Sequence, residues 1–212
     1  MDAEFWHQKW QNNQIGFHRH AVNPFLVDYI DHLELKAGQR LFLPLCGKTL
    51  DIAWLLSKGY QVVGVELHEP AVVALFEDLD VEPDITAVRD LKRYEHVGVT
   101  LFVGDLFDLT QEDIGHVDAV YDRAAIVALP KTMRSRYTQH IAMVSALASQ
   151  LLINYEYDQK SLNGPPFSVS NDELKIHYSQ YYSMTLLHHC DVEGGMKGQC
   201  PATENIWLLQ QN

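Results

Sequence analysis

The sequence predicts an α/β fold in which a mainly parallel sheet carries helices on both faces. Three observations lead there. Short apolar runs alternate with amphipathic stretches along most of the chain, the pattern of strand–helix–strand units. Helix starts and stops fall at the joins, as at Asn23-Pro24, Gly59 and Glu69-Pro70. The last two apolar runs follow each other without a helix-sized insert, so they read as an antiparallel pair closing the sheet.

Taken in order, residues 2–12 read as a short helix with Phe5, Trp6 and Trp10 on neighbouring faces. Asn23 is an N-cap with Pro24 at the first helical position, followed by Phe25, Tyr29 and Leu33 at four-residue spacing. Residues 40–45 are a strand, 49–58 a helix stopped by Gly59, and 62–66 a second strand. Glu69-Pro70 opens a helix with Val72, Phe76 and Leu79 on one face. Residues 99–103 and 117–121 are the third and fourth strands. A long helix covers 131–149, with Met133, Tyr137, Ile141, Val144 and Ala148 at helical spacing, and 151–155 is the fifth strand. Ser170 to Glu173 has the form of a capping box for a helix to about Tyr178. Residues 181–189 and 205–209 form the closing pair. With 212 residues, 47% of them apolar, one core is expected over 1–212: an N-terminal helical cover (1–33) on an α/β core (34–212).

Composition narrows the function classes. Sixteen basic residues face 28 acidic ones, for a net charge of -12, and the nearest thing to a basic run is His18-Arg19-His20. A nucleic-acid partner, which demands clustered Lys and Arg, is disfavoured. No apolar run approaches the ~20 residues of a membrane span, and the N-terminus has no basic segment followed by an apolar one. Three cysteines make no even framework. The expectation is a cytoplasmic protein, a monomer, without a membrane partner.

In doubly wound sheets ligands bind beyond the carboxyl ends of the strands. After strand one stands Leu45-Cys46-Gly47-Lys48-Thr49. A P-loop would need Gly where Phe42 stands, and a dinucleotide fingerprint would need three spaced glycines where only Gly47 is present. Gly47 suits either an ordinary strand-to-helix turn or one that brings backbone close to a smaller ligand. Glu66 ends strand two, 19 positions on, where nucleoside-binding sheets place the acceptor for ribose hydroxyls; the alternative is a solvated strand end. Asp105, after strand three, can accept from an adenine amino group or cap the next turn. Asp122-Arg123 follows strand four, and its bland reading is a surface ion pair. A metal site from His188, His189, Cys190 and Cys200 is not expected, since adjacent strand residues point to opposite faces. Cys46 reads as a small packing residue.

These residues carry a resemblance. The chain resembles the thiopurine S-methyltransferases of bacteria through Trp6-His7-Gln8-Lys9-Trp10, Gly16-Phe17-His18, Pro44-Leu45-Cys46-Gly47-Lys48, Val63-Gly64-Val65-Glu66, Phe107-Asp108-Leu109, Tyr121-Asp122-Arg123-Ala124 and Gly164-Pro165-Pro166-Phe167, in the family's order from about Phe5 to Leu209. The resemblance implies a seven-stranded Rossmann-like methyltransferase sheet and S-adenosylmethionine as cofactor, with S-adenosylhomocysteine as its product. It implies that Trp10, Leu45, Gly47, Glu66 and Arg123 line the cofactor site and that Asp105 and Leu106 meet the adenine, with Asp105 standing where some relatives have Ser. It places Phe17 beside the substrate, and Pro166 and Phe167 in a loop at the active-site mouth. Trp6, which would also meet the substrate, would form a lid with Phe5, Trp10 and Phe17; a core-facing helix is the alternative for these aromatics, Phe5 most of all.

The implied reaction is in-line attack of a small-molecule thiolate on a sulfonium methyl. It destroys charge, so a dry aromatic site favours it, and alignment is the protein's main task. Arg123 is the one candidate catalytic residue, stabilising the thiolate. Methylation of selenium or tellurium compounds or other soft nucleophiles needs the same geometry. An NTPase read from Gly47-Lys48-Thr49 and a non-catalytic nucleoside-binding module are the rivals from other classes.

Overall fold

A computed structural model describes residues 3–212. Its first element, α1 (Ala3–Gln11), buries no residue; Asp2, where the expected helix begins, lies outside the described residues. In α2 (Pro24–Tyr29), Asn23 caps the start by accepting from the Phe25 N–H at 2.9 Å, and a 3-10 turn (Ile30–Leu33) continues it. The central strands then follow with their helices: β1 (Arg40–Pro44), α3 (Leu50–Ser57), β2 (Gln61–Glu66) and α4 (Glu69–Asp78).

Next comes a hairpin that the apolar pattern missed. β3 (Asp84–Val88) and β4 (Leu91–His96) pair antiparallel and carry charge on their open face. Arg89 turns between them at φ 53°. β5 (Val99–Val103) is buried throughout. After α5 (Gln111–Ile114), β6 runs Ala119–Arg123, two residues later than the sequence pattern suggests.

α6 (Lys131–Val144) is shorter than the expected 131–149. Ala146 and Leu147 adopt φ 51° and 62°, a left-handed turn that ends the helix and frees Ser149 to start β7 (Ser149–Tyr157). Ala148 therefore sits in a turn. Ser170 caps α7 (Asn171–Tyr178), but only half of the expected capping box forms: Glu173 turns to the buried Arg134 at 2.8 Å instead. β8 (Tyr182–Asp191) and β9 (Ala202–Gln211) make the antiparallel closing pair.

The sheet has nine strands in the order β3-β4-β5-β2-β1-β6-β7-β9-β8, against the seven expected. β5, β2, β1, β6 and β7 are parallel, and antiparallel pairs extend both edges. Phe42, Val63, Phe102, Val120 and Leu152 face one apolar layer, and Leu41, Leu43, Val62, Leu101 and Leu151 the other. Such burial on both sides is what continuous apolar runs demand. No helix among the described residues is long and apolar enough to cross a membrane.

Candidate active site

The strand order reverses between β1 and β6, and a cavity of about 520 Å³ opens beyond the carboxyl ends of the strands there. The loops after β1, β2, β6 and β7 form its floor, and α1 with the segment through Arg19 forms its cover.

The first loop is tight. Leu45 and Gly47 take φ 49° and 54°, and Cys46 N–H donates to the Val65 carbonyl at 3.0 Å. A side chain at Gly47 would meet the Trp10 ring at 3.1 Å, so backbone and indole are in close approach. Glu66, only 6% exposed, ties this loop to the next. Its Oε2 accepts from Gly47 N–H and its Oε1 from His68 N–H, each at 2.8 Å. Burial raises the Glu66 pKa, and the backbone donors oppose that. Each oxygen retains a second lone pair, and Glu66 borders the cavity. The two residues paired by sequence spacing thus meet directly. Cys46 is a packing residue whose thiol burial pushes well up.

Asp122 is no part of a surface ion pair: it is fully buried. It accepts from Tyr137 Oη at 2.8 Å and Ile126 N–H at 3.1 Å, and burial pushes its carboxyl up to about 6. These bonds fix the turn after β6, where Ala124 takes φ 63°, and leave Arg123 facing the cavity.

The cover is aromatic. Trp6 and Trp10 meet Phe17 edge-on at 5.9 and 5.4 Å, and Phe5 meets Trp6 at 5.3 Å. Phe5 packs within the cover and not in the sheet's core. Asp51 anchors the stretch that follows, accepting from Asn23 N–H at 2.7 Å and from Tyr121 Oη at 3.2 Å.

Trp6, Trp10, Phe17, Leu45, Glu66, Arg123 and Pro166 all line the cavity. Gly47 reaches it through Glu66 and Trp10. Three other candidates lie elsewhere. Asp105 caps its own turn, accepting from Phe107 N–H at 3.0 Å. Leu106 is core. Phe167 turns away beneath the Arg134 guanidinium while Gly164, Pro165 and Pro166 edge the cavity.

Sequence reasoning missed Arg19, Tyr155, Met196 and Lys197 as lining residues. Arg19 was visible inside His18-Arg19-His20. Tyr155 is set by the β7–β9 pairing, in which it stands opposite Glu204, and Met196 and Lys197 lie in the loop between β8 and β9. Glu204 is buried with its pKa raised by desolvation, while Tyr155, Arg19 and Arg123 pull the other way. Among the described residues no three His, Cys, Asp or Glu side chains could hold a metal ion together.

The comparisons agree with this architecture. Among solved structures, a 1,6-didemethyltoxoflavin-N1-methyltransferase from Burkholderia thailandensis with bound S-adenosylhomocysteine superposes with TM-score 0.67 at 14% identity, covering 99% of this chain and 87% of that one. A TehB-like SAM-dependent methyltransferase from Corynebacterium glutamicum gives 0.57 at 14%, covering 99% and 98%. At those identities the likeness is one of fold. The sequence relatives are much nearer. Thiopurine S-methyltransferases of Xanthobacter autotrophicus (48% identical, 100% of both chains), Acinetobacter baylyi (47%, 99% and 98%) and Pseudomonas aeruginosa (44%, 100% of both) align end to end. The family model for thiopurine S-methyltransferase matches residues 1–211. The chain belongs to the thiopurine S-methyltransferase family.

Proposed function

We propose that this protein is an S-adenosylmethionine-dependent S-methyltransferase acting on thiopurines or similar heterocyclic and aromatic thiols. Family membership carries the reading. The cavity fits the donor. Its volume lies within the range of small-molecule pockets, about 300–1,000 Å³. A buried carboxylate with lone pairs to spare stands on its floor beside a glycine turn that has no room for a side chain. Glu66 would take the ribose hydroxyls, with Trp10, Leu45 and Gly47 forming the rest of that wall. Asp105 and Leu106 are proposed for the adenine side; Asp105 would have to give up its cap or accept with its second oxygen.

When bound, S-adenosylmethionine supplies an electrophilic methyl group on a sulfonium. The chain's own residues do the rest. Arg123, at the end of β6, places a planar cation where a thiolate would sit and holds the substrate in its ionised form. Trp6, Trp10 and Phe17 exclude water from a reaction that neutralises charge. Pro166, with Phe167 behind it, shapes the substrate's entrance. No strong base is required for a thiol acidic enough to ionise near neutral pH. Residues 1–33 serve as a cover on the α/β core, within one domain. The enzyme is proposed as a monomer of the cytoplasm, whose reducing conditions suit three free cysteines.

A panel of acceptors tests the reading. Relative kcat/KM for a thiopurine, an aromatic thiol and a selenolate is expected to favour the heterocyclic thiols. A preference for the selenium compound would move the activity to the rival soft nucleophiles.

A further inference from the structure

Trp10 depends on a contact that the proposed chemistry does not use. His68 occupies the cap position of α4 but makes no side-chain cap hydrogen bond, although that position normally employs a side-chain acceptor. Its imidazole turns toward α1 instead. There its ring lies parallel to Trp10, centroids 5.6 Å apart at 7°, and its Nδ1 stands 3.0 Å from Nδ1 of His7. Its backbone N–H meanwhile holds Glu66 Oε1. One residue therefore joins the ribose-side carboxylate, the indole over Gly47 and the covering helix. α1 buries no residue of its own, so few other contacts fix it.

We infer that His7 and His68 are a positioning pair that holds Trp10 and α1 closed over the Glu66–Gly47 wall of the cavity. This rests on the reading of that wall as the cofactor site. The pair also makes closure sensitive to pH. A 3.0 Å Nδ1···Nδ1 contact needs one donor and one acceptor, so one ring must keep a lone pair. Two protonated rings would set donor against donor and cation against cation.

The other charged groups nearby do not relieve this. The Glu66 oxygens accept from the Gly47 and His68 backbone N–H groups, and neither is hydrogen-bonded to the His7 or His68 ring. Glu69 is bound to Lys92 and Tyr94. Lys9, on α1, donates to Gln14. Burial, then His7, lowers the His68 pKa. A group whose folded-state pKa is depressed loses its contribution as pH falls, so closure weakens below the ordinary imidazole value of 6.5.

The test uses the full chain and S-adenosylhomocysteine as probe, with His68→Ala and His7→Gln. Gln can hydrogen-bond His68 without titrating. At pH 7.5 His68→Ala is expected to bind about tenfold more weakly, the loss of one aromatic pair and one hydrogen bond. His7→Gln is expected to bind as the parent does at pH 7.5 and to lose less affinity than the parent on acidification, because the opposed charge is gone while the burial of His68 remains. Ligand-free tryptophan emission supplies the second readout. Protonation of a stacked imidazole and loss of the stack both change indole emission, so an acid-dependent emission step should appear in the parent and vanish in both His68→Ala and Trp10→Phe. Parent-like affinity in His68→Ala, an acid loss of affinity in His7→Gln as large as the parent's, or an acid emission step unchanged in His68→Ala would each overturn the inference. Failure of the parent to bind the probe would sink the cofactor reading, and the ligand-free emission would still decide the pair.

Discussion

Replacing Glu66 with Gln subtracts a charge and one acceptor from a position where both carboxylate oxygens are engaged. Gly47 N–H and His68 N–H each donate at 2.8 Å. The amide can satisfy one of them, while its NH₂ faces the other donor. One buried N–H is left unpaired, at a cost of about 1–3 kcal/mol. For a chain of this size each kcal/mol lowers Tm by roughly 2–4 °C, so ligand-free melting should fall by roughly 2–12 °C. Part of that is offset, because burial raises the Glu66 pKa and the neutral amide avoids the burial cost. The sign follows. A raised folded-state pKa means the native carboxylate is disfavoured, so parent stability falls as pH climbs above the usual carboxylate range, and the Gln variant lacks that decline. Binding is the larger effect. Losing a charged acceptor for hydroxyls costs about 1.5–3 kcal/mol, or about ten- to hundredfold in S-adenosylhomocysteine affinity. Glu66→Ala leaves both N–H groups unpaired and should be worse in both respects. Turnover at saturating cofactor should fall less than affinity, since the ribose lies away from the reacting methyl. Thermal melting without ligand and titration calorimetry with it separate the two effects. If Glu66→Gln melts and binds as the parent does, Glu66 is neither clamp nor acceptor and the cofactor has been placed wrongly.

Four further outcomes are expected. Asp122→Asn should gain on the parent by about 3 kcal/mol between pH 4 and 6.5, because burial raises that carboxyl from 3.8 to about 6 and the parent's stability declines as pH rises through that window; parallel denaturant midpoints across the range would show the carboxyl is not perturbed. Arg123→Lys keeps the charge but loses the planar fork and Arg123→Ala loses both, so kcat/KM should fall in both with little change in melting; unchanged rates would remove Arg123 from the chemistry. Deleting residues 1–17 should leave a folded protein with badly impaired turnover, because no residue of α1 is fully buried, and full activity would show that the cover is dispensable. Gly47→Ala should weaken cofactor binding, since φ 54° and a ring carbon at 3.1 Å both oppose a side chain; parent-like calorimetry would show that the loop and Trp10 yield easily.

The parallel core was legible because its strands are buried on both faces and read as unbroken apolar runs, as in Val62 to Val65 and Val99 to Val103. The β3–β4 hairpin was not. Asp84, Lys92, Arg93 and Glu95 face outward on an edge, and Leu91 and Tyr94 are all the burial that β4 offers as a signal. Helical periodicity also overran the end of α6, where two alanine–leucine positions turn left-handed without any glycine to announce it. In the site, the spacing of Gly47 and Glu66 located a real contact, but the clamp geometry could not be read from spacing, because a strand-end Glu looks the same whether it faces water or a backbone N–H. Asp122 shows where the bland alternative fails. Two adjacent charges suggested a surface pair, while strand alternation sends Asp122 into the core and Arg123 to the cavity. Tyr155 and Glu204 are separated by nearly fifty positions and meet only through strand pairing, so local pattern holds no trace of them.

Sulfur methylation is read directly by following a methyl label from S-adenosylmethionine into 6-mercaptopurine and locating it in the product. Label is expected on the exocyclic sulfur, with S-adenosylhomocysteine formed in equal amount. Label on a ring nitrogen, or no transfer from a protein that binds the donor, would contradict it.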